Sequence, residues 1–416
     1  MRSVSVRFRP KVKLERYIAR QPIFTEQKNV MGYELLFRGG LDNFFSGGDG
    51  DTASRAVVDN LFLMGVDVLT AGGRAFINFT RDLLVNDLGL LLPRQRVVVE
   101  ILESIEPDGE VLAACQRLKT AGYQVALDDL VSPQGPVPLL DFADYAKVDF
   151  VQTSPQQREK WVDLCCPRGI KLLAEKVETS KEFNEALGWG YQLFQGYFFC
   201  RPEMLSRRDI PAYKMNYVRA LAAANEPNVN LADLESAISV EASLSYRLLR
   251  YLNSPIFGFR TSVDSIRHGL MLLGERQVRR WISMVALLAL AEDKPAELAV
   301  ASLVRGRFCQ LLGTSAGVGK HNVDLFLLGM LSLLDAILGR PLAEILDELP
   351  VSQDIKAALL NRGGAYQSYY HAVLAYESGN WEAFTLIAAH LGPAAEAAPE
   401  HHLRAVEWAT RIFQTC

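Results

Sequence analysis

Residues 125–135 read VALDDLVSPQG. An apolar run of the kind that forms a buried strand ends in two adjacent aspartates, and Pro133 and Gly135 then mark a loop. Two neighbouring carboxylates repel each other, and near a protein interior they are costly unless something positive sits between or above them. The stretch thus predicts a strand whose end carries chemistry, and it asks what cation faces Asp128 and Asp129.

Seven comparable runs lie on either side of it within the first 200 residues. They are YIARQPI (17–23), NVMGYELL (29–36), AFINF (75–79), VVVEI (97–101), YAKVDF (145–150), IKLLAE (170–175) and LFQGYF (193–198). Amphipathic segments such as SRAVVDNLFLMGVDVL (54–69) and PDGEVLAACQRLKTAG (107–122) separate most of them. Strands alternating with helices predict a parallel sheet, and eight such strands in so short a span predict a compact (β/α)₈ barrel of the TIM type. The first two runs are joined only by FTEQK, too short for a parallel crossover, so that pair is expected as an antiparallel hairpin. Beyond residue 204 the pattern becomes Ala/Leu-rich and helical, as in LADLESAISVEASLSYRLLRYL (231–252) and VDLFLLGMLSLLDAILG (323–339). The expected organisation is a basic leader over 1–16, a barrel over 17–204 and an all-helical domain over 205–416, divided near CRPEMLSRRD (200–209).

Composition narrows the function classes. The chain has 416 residues, 49% of them hydrophobic and 22% charged, with a formal net charge of −4. That balance fits a globular protein with a sizeable core and argues against wholesale binding to nucleic acid. No stretch has the length of a membrane span; WISMVALLALA (281–291) is bracketed by Arg280 and Glu292 and reads as a buried helix. The six cysteines lack CxxC spacing, which suggests neither a zinc site nor a disulfide framework, and a cytoplasmic protein is expected.

Almost every strand run ends in, or just carries, a polar residue near its C-terminal end. These are Glu34, Asn78, Glu100, Asp128 with Asp129, Lys147 with Asp149, Glu175 and Gln195. In a (β/α)₈ barrel the C-terminal strand ends converge on one mouth. All six histidines lie at position 268 or later, so the rim offers oxygen ligands without imidazole or thiolate. Such a set suits a hard cation, Mg²⁺, Mn²⁺ or Ca²⁺. Lys147 alone is expected to be too little counter-charge, which points to a divalent-metal site at Asp128 and Asp129.

In this order the motifs resemble the EAL domain, a barrel associated with hydrolysis of cyclic diguanylate. QPIF with YELLFR resembles its opening and signature, with Leu35 where the name-giving Ala stands; INFT, VEILE, ALDD, KVD, AEKVE and QGYFF follow in sequence. The resemblance implies Glu34, Asn78, Glu100, Asp128 and Asp129 as ligands of Mg²⁺ or Mn²⁺. It implies Glu175 as general base, Lys147 as the group that orients the attacking water, and Gln195 as support. Gln21 and Arg38 match positions that contact the nucleotide. A homodimer through the barrel is also implied.

Two departures stand out. The family's DDFGTGYS loop is replaced by DDLVSPQGP, without the Gly-Thr-Gly and with Pro133 and Pro136. Lys176 stands where the family has Gly, and strand alternation predicts that it points away from Glu175. The helical half resembles the HDOD domain, through ISVEASLSYRLLRYLNSPIFGF, SIRHGLMLLGERQVRRW and FLLGMLSLLDAILG. Ser332 and Leu333 occupy the place where metal-bearing relatives carry a His-Asp pair, which implies a domain that works by binding a protein partner. Arg276, Arg279 and Arg280 are candidates for its surface, and His401 with His402 reads as a solvated pair. Three readings remain open here: a metal-dependent phosphodiesterase, a slow or inactive cyclic diguanylate effector, and a protein-interaction scaffold.

Overall fold

The computed structural model describes residues 16–39, 66–133, 137–200, 212–226, 231–239, 265–318 and 322–415, with isolated residues between 245 and 263. Residues 1–15 of the basic leader, most of the 54–69 segment, Pro136 and residues 201–209 of the expected domain boundary lie outside the described residues, while Arg16, expected in the leader, opens the first strand.

All eight expected strands form. They are β1 Arg16–Thr25, β2 Val30–Gly39, β3 Arg74–Phe79, β4 Val97–Ile101, β5 Gln124–Leu130, β6 Tyr145–Asp149, β7 Lys171–Glu175 and β8 Leu193–Gln195. They close into a barrel in sequence order. Strands β2 to β8 run parallel, whereas β1 is antiparallel to both β2 and β8, as the short first connection requires. Crossover helices start at well-formed caps: Asp108 accepts from the Glu110 and Val111 amides, and Ser154 and Thr179 each complete a capping box.

Strand periodicity arranges the barrel interior in layers. Ile23, Phe76, Val98, Ala126, Tyr145, Leu173 and Leu193 form a closed apolar cluster inside it. Their neighbours one position along, such as Ile77, Val99, Leu127, Ala146 and Ala174, belong to the cluster shared with the surrounding helices. A step of two residues from the apolar layer toward the mouth reaches Gln21, Asn78, Glu100, Asp128, Lys147, Glu175 and Gln195. The polar layer therefore lies directly on an apolar plug.

The helical half centres on Glu275–Leu290, Ala296–Ser315 and Asn322–Leu331. The last two pack closely because glycines meet at their crossing: a Cβ on Gly329 would lie 2.4 Å from the Arg305 backbone, and one on Gly306 would lie 2.8 Å from the Phe326 carbonyl oxygen. This half is built onto the barrel. Tyr17 and Ala19 of β1 are members of its core, and the Tyr17 ring lies 5.6–6.1 Å from Phe384, Trp381 and Tyr376. Tyr33 donates to Glu297 at 2.7 Å, while the Arg20 guanidinium stacks over the Tyr33 ring.

One surface expectation is corrected. His401 and His402 are both buried, because the helix Ala398–Thr415 docks against Ala296–Ser315 and β1. His402 packs against the rings of Phe308 and Tyr376, and Ser315 and His401 are hydrogen-bonded. The arginine cluster is partly committed: Arg279 pairs with Glu275, and Arg280 lies over the Phe326 ring.

Burial, aided by the nearby Arg20 charge, pushes the His402 imidazole down to about 3. An unfolded histidine titrates near ~6.5. The neutral ring therefore contributes stability that is fully present above that value and lost as pH falls toward 3. Thermal unfolding between pH 7 and 4 should lose midpoint less steeply in His402→Gln than in the wild type. Parallel slopes would show that His402 does not govern the acid limb.

Candidate active site at the barrel mouth

The mouth is organised around one ammonium. Lys147, in the middle of β6, is completely buried. Its Nζ lies 2.6 Å from Asp128, 2.8 Å from Glu100, 2.9 Å from Glu175 and 3.3 Å from Glu34. An ammonium has three N–H donors, so four carboxylates cannot all be satisfied by it. Burial pulls the Lys147 pKa down, but the combined pull of Glu100, Glu175, Glu34 and Asp128 outweighs it and holds the group well above the usual lysine range. Burial in turn pushes Glu100 far up, against the opposing effect of Lys147. Glu175 is pushed up to about 8, by burial first and then by Asp128, Glu34 and Asp129, with Lys147 again opposing.

The remaining partners follow from register. Gln21 is paired with Glu34 across β1–β2, and Ile23 with Gln195 across β1–β8. Gln195 accordingly donates to Gln21 at 3.0 Å and to Glu34 at 2.6 Å. Asn78 donates to Glu34 at 3.1 Å. The amide donors are thus spent on this ring, while several oxygens are left over. Asn78 Oδ1, both Glu100 oxygens, Glu175 Oε2 and Gln195 Oε1 are buried without an aligned donor. A cluster of orphaned oxygens among buried acids is what a hard cation would satisfy.

The paired aspartates separate onto two cations. Register jumps from Leu127↔Ala146 to Leu130↔Val148, so β5 bulges at Asp128–Asp129. Asp129 takes a left-handed φ of 44°, which aspartate tolerates better than most residues. The bulge lets consecutive side chains face the same opening, which strand alternation forbids. Asp128 meets Lys147, and Asp129 meets Lys176 Nζ at 2.7 Å. The expected outward orientation of Lys176 is therefore wrong. Lys176 lies just past the end of β7 with φ 55°, so alternation no longer governs it, and its ammonium bridges Asp129 and Asp149 at 2.6 Å.

Asp149 is not an open ligand. Its carboxylate also accepts from the Val151 and Gln152 amides, and although burial pushes its pKa up, the Lys176 and Gln152 contacts outweigh that and hold it below the usual carboxylate range. Glu103, the second acid of VEILE, was passed over in the sequence; its carboxylate lies within 4.8 Å of those of Asp128 and Asp129. Arg38 is in β2, but its side chain lies outside the described residues. In the helical half Ser332 is buried and accepts from Arg305 at 3.2 Å.

Comparison with known proteins agrees with this architecture. The EAL domain model matches residues 69–202 and the HDOD domain model matches residues 210–340. The uncharacterized protein YuxH of Bacillus subtilis is 35% identical over 95% of this chain and 98% of its own length. The cyclic di-GMP phosphodiesterase CdgJ of Vibrio cholerae is 33% identical over 95% of this chain and 93% of its own. Among solved structures, the YkuI protein of Bacillus subtilis, with an EAL domain and in complex with c-di-GMP and calcium, superposes at TM-score 0.40. That match has 20% identity and covers 55% of this chain and 73% of that one. The class is a closed eight-stranded barrel with a polar mouth, followed by helices. The chain belongs to the family of proteins that join an EAL domain to an HDOD domain.

The raised pKa of Glu175 has a definite sign. An unfolded glutamate titrates near ~4.3, so the folded protein holds the extra proton and loses that stability as pH rises toward 8. In chelator, the unfolding midpoint should fall between pH 6.5 and 8, and Glu175→Gln should flatten the fall. Lys147→Met leaves four carboxylates facing one another and should cost roughly 3–5 kcal/mol under the same conditions. An unchanged slope in the first variant, or an unchanged midpoint in the second, would contradict this electrostatic account.

Proposed function

We propose that the barrel mouth binds cyclic di-GMP together with Mg²⁺ or Mn²⁺ and hydrolyses one phosphodiester bond to give the linear dinucleotide. The carrying observation is the set of buried oxygens on Asn78, Glu100, Glu175 and Gln195 that lack an aligned donor, beside the carboxylates of Glu34 and Asp128. Full-length similarity to CdgJ, named as a cyclic di-GMP phosphodiesterase, supports the same reading. Glu34, Asn78, Glu100, Asp128 and Asp129 are the residues that would hold the cations. When bound, such cations polarise phosphate oxygens and lower the pKa of water.

The chain's own groups divide the remaining work. Glu175 accepts the proton of the attacking water at its free Oε2. Lys147 fixes the Glu175 and Asp128 carboxylates by direct contact, a positioning role broader than orienting water alone. Gln195 holds Gln21 at the rim, where Gln21 would contact the nucleotide; Arg38, by the family resemblance, would contact it too, and guanidinium geometry suits a phosphodiester. Residues 17–204 act as the catalytic domain and 205–416 as a regulatory module with a protein partner. A homodimer through the barrel completes the assembly, and the protein works in the cytoplasm. No helix among the described residues is long and apolar enough to cross a membrane. One observation favours the slower, effector-like reading: the contact of Asp129 with Lys176, which occupies a carboxylate assigned to a cation.

Purified protein incubated with cyclic di-GMP and Mn²⁺ should release the linear dinucleotide. Glu175→Gln should retain nucleotide binding while losing about 10²–10⁴-fold in turnover. Asp128→Asn should abolish the thermal stabilisation given by Mn²⁺. Binding without product would establish the effector reading, and absence of both nucleotide and metal binding would overturn the site.

A further inference from the structure

The Lys176 contacts carry a consequence for cation loading, which rests on the metal reading above. Three observations define this residue. It is held at a left-handed φ of 55°, a conformation that a lysine adopts only where its surroundings over-determine it. Its ammonium contacts two carboxylates at once, Asp129 at 2.7 Å and Asp149 at 2.6 Å. Asp149 is itself immobilised by the Val151 and Gln152 amides and by the Gln152 side chain, so the lysine has a rigid anchor on one side.

The two aspartates are therefore not equivalent. Asp128 faces the buried group of Glu34, Glu100 and Glu175, where oxygens remain without aligned donors and Lys147 is shared four ways. Asp129 faces outward, at the half-exposed end of the mouth, and has a cation of its own. A divalent ion reaching Asp129 must displace the ammonium or lie within a few ångströms of it. Like charges at that separation repel strongly enough, near a protein surface, to cost about tenfold or more in affinity.

We propose that Lys176 is a built-in substitute for one of the two cations: its ammonium occupies the Asp129 side of the mouth, so that this chain loads a single divalent ion tightly, on the Asp128 side. Lys176 is a positioning residue here, since it acts through Asp129 and Asp149. The charge carries the effect, so arginine should preserve it and glycine, which also accepts the left-handed backbone, should remove it.

The test is a Mn²⁺ titration of the full chain without nucleotide, with free Mn²⁺ followed by electron paramagnetic resonance, on wild type, Lys176→Gly, Lys176→Gln and Lys176→Arg. One tight ion is expected for wild type and Lys176→Arg. Both Lys176→Gly and Lys176→Gln should gain a second ion, bound at least about tenfold more tightly than any second ion in the wild type. The paired variants guard against misfolding, because Lys176→Gln keeps an uncharged polar side chain at the position and Lys176→Gly relieves the backbone. Two ions of equal affinity in wild type and variants would overturn the role of Lys176 while leaving the metal site standing. No Mn²⁺ bound by any of the four proteins would overturn the metal site and this inference together.

Discussion

The structure depends on a single buried ammonium shared by Glu34, Glu100, Asp128 and Glu175. Taking these charges out of water is expensive, and one lysine against four acids does not neutralise them. The fold responds in two ways: Glu100 and Glu175 hold protons more tightly, and several oxygens remain without donors. Such an arrangement persists only where the backbone is fixed by something else. The closed barrel and its apolar plug of Phe76, Val98, Tyr145 and Leu173 provide that constraint. The mouth is thus strained electrostatically because the strands beneath it cannot move, a condition common where a site is prepared for charge it does not yet carry.

The barrel was legible in the sequence because its interior obeys a period of two. Phe76 and Asn78, Val98 and Glu100, Ala126 and Asp128, and Leu173 and Glu175 repeat one pattern, an apolar residue followed two positions on by a polar one. Each strand could be read separately, and closure followed from their number. Lys147 was legible by the same rule, but its role as the common partner of four acids was not, since distances between strands are absent from a linear pattern. Asp129 and Lys176 broke the rule altogether. Both have positive φ without being glycine, so alternation placed Lys176 on the wrong side. Where backbone geometry leaves the strand region, a periodicity argument has nothing to act on.

The helical half was legible as helical and, through its motifs, as an HDOD domain, but its packing was not. Its burial pattern depends on what it packs against, and the docking of Ala398–Thr415 buried two histidines that alone look like surface residues. Amphipathic periodicity identifies a face, not its partner.

That partner includes the barrel, for a reason visible in β1. This strand is ten residues long, yet its described pairing with β8 is confined to Ile23, Phe24 and Thr25. Along the rest of that side, backbone groups need other partners or water. The Ile18 amide donates to the Tyr376 hydroxyl, and the Gln21 side chain donates to the Ser378 carbonyl. The helical half therefore completes hydrogen bonding that a short β8 leaves undone, and it does so from one turn of the helix Gln367–Glu377 and the residue after it. Gln21 is also the residue that Gln195 contacts at the rim of the mouth. A shift of that helix end would alter the Gln21 amide first, then the Gln195–Glu34 contact it shares, and so the ring of oxygens around Lys147. Closure of the barrel and docking of the helices are the same structural event at β1, and the polar mouth is two hydrogen bonds away from it.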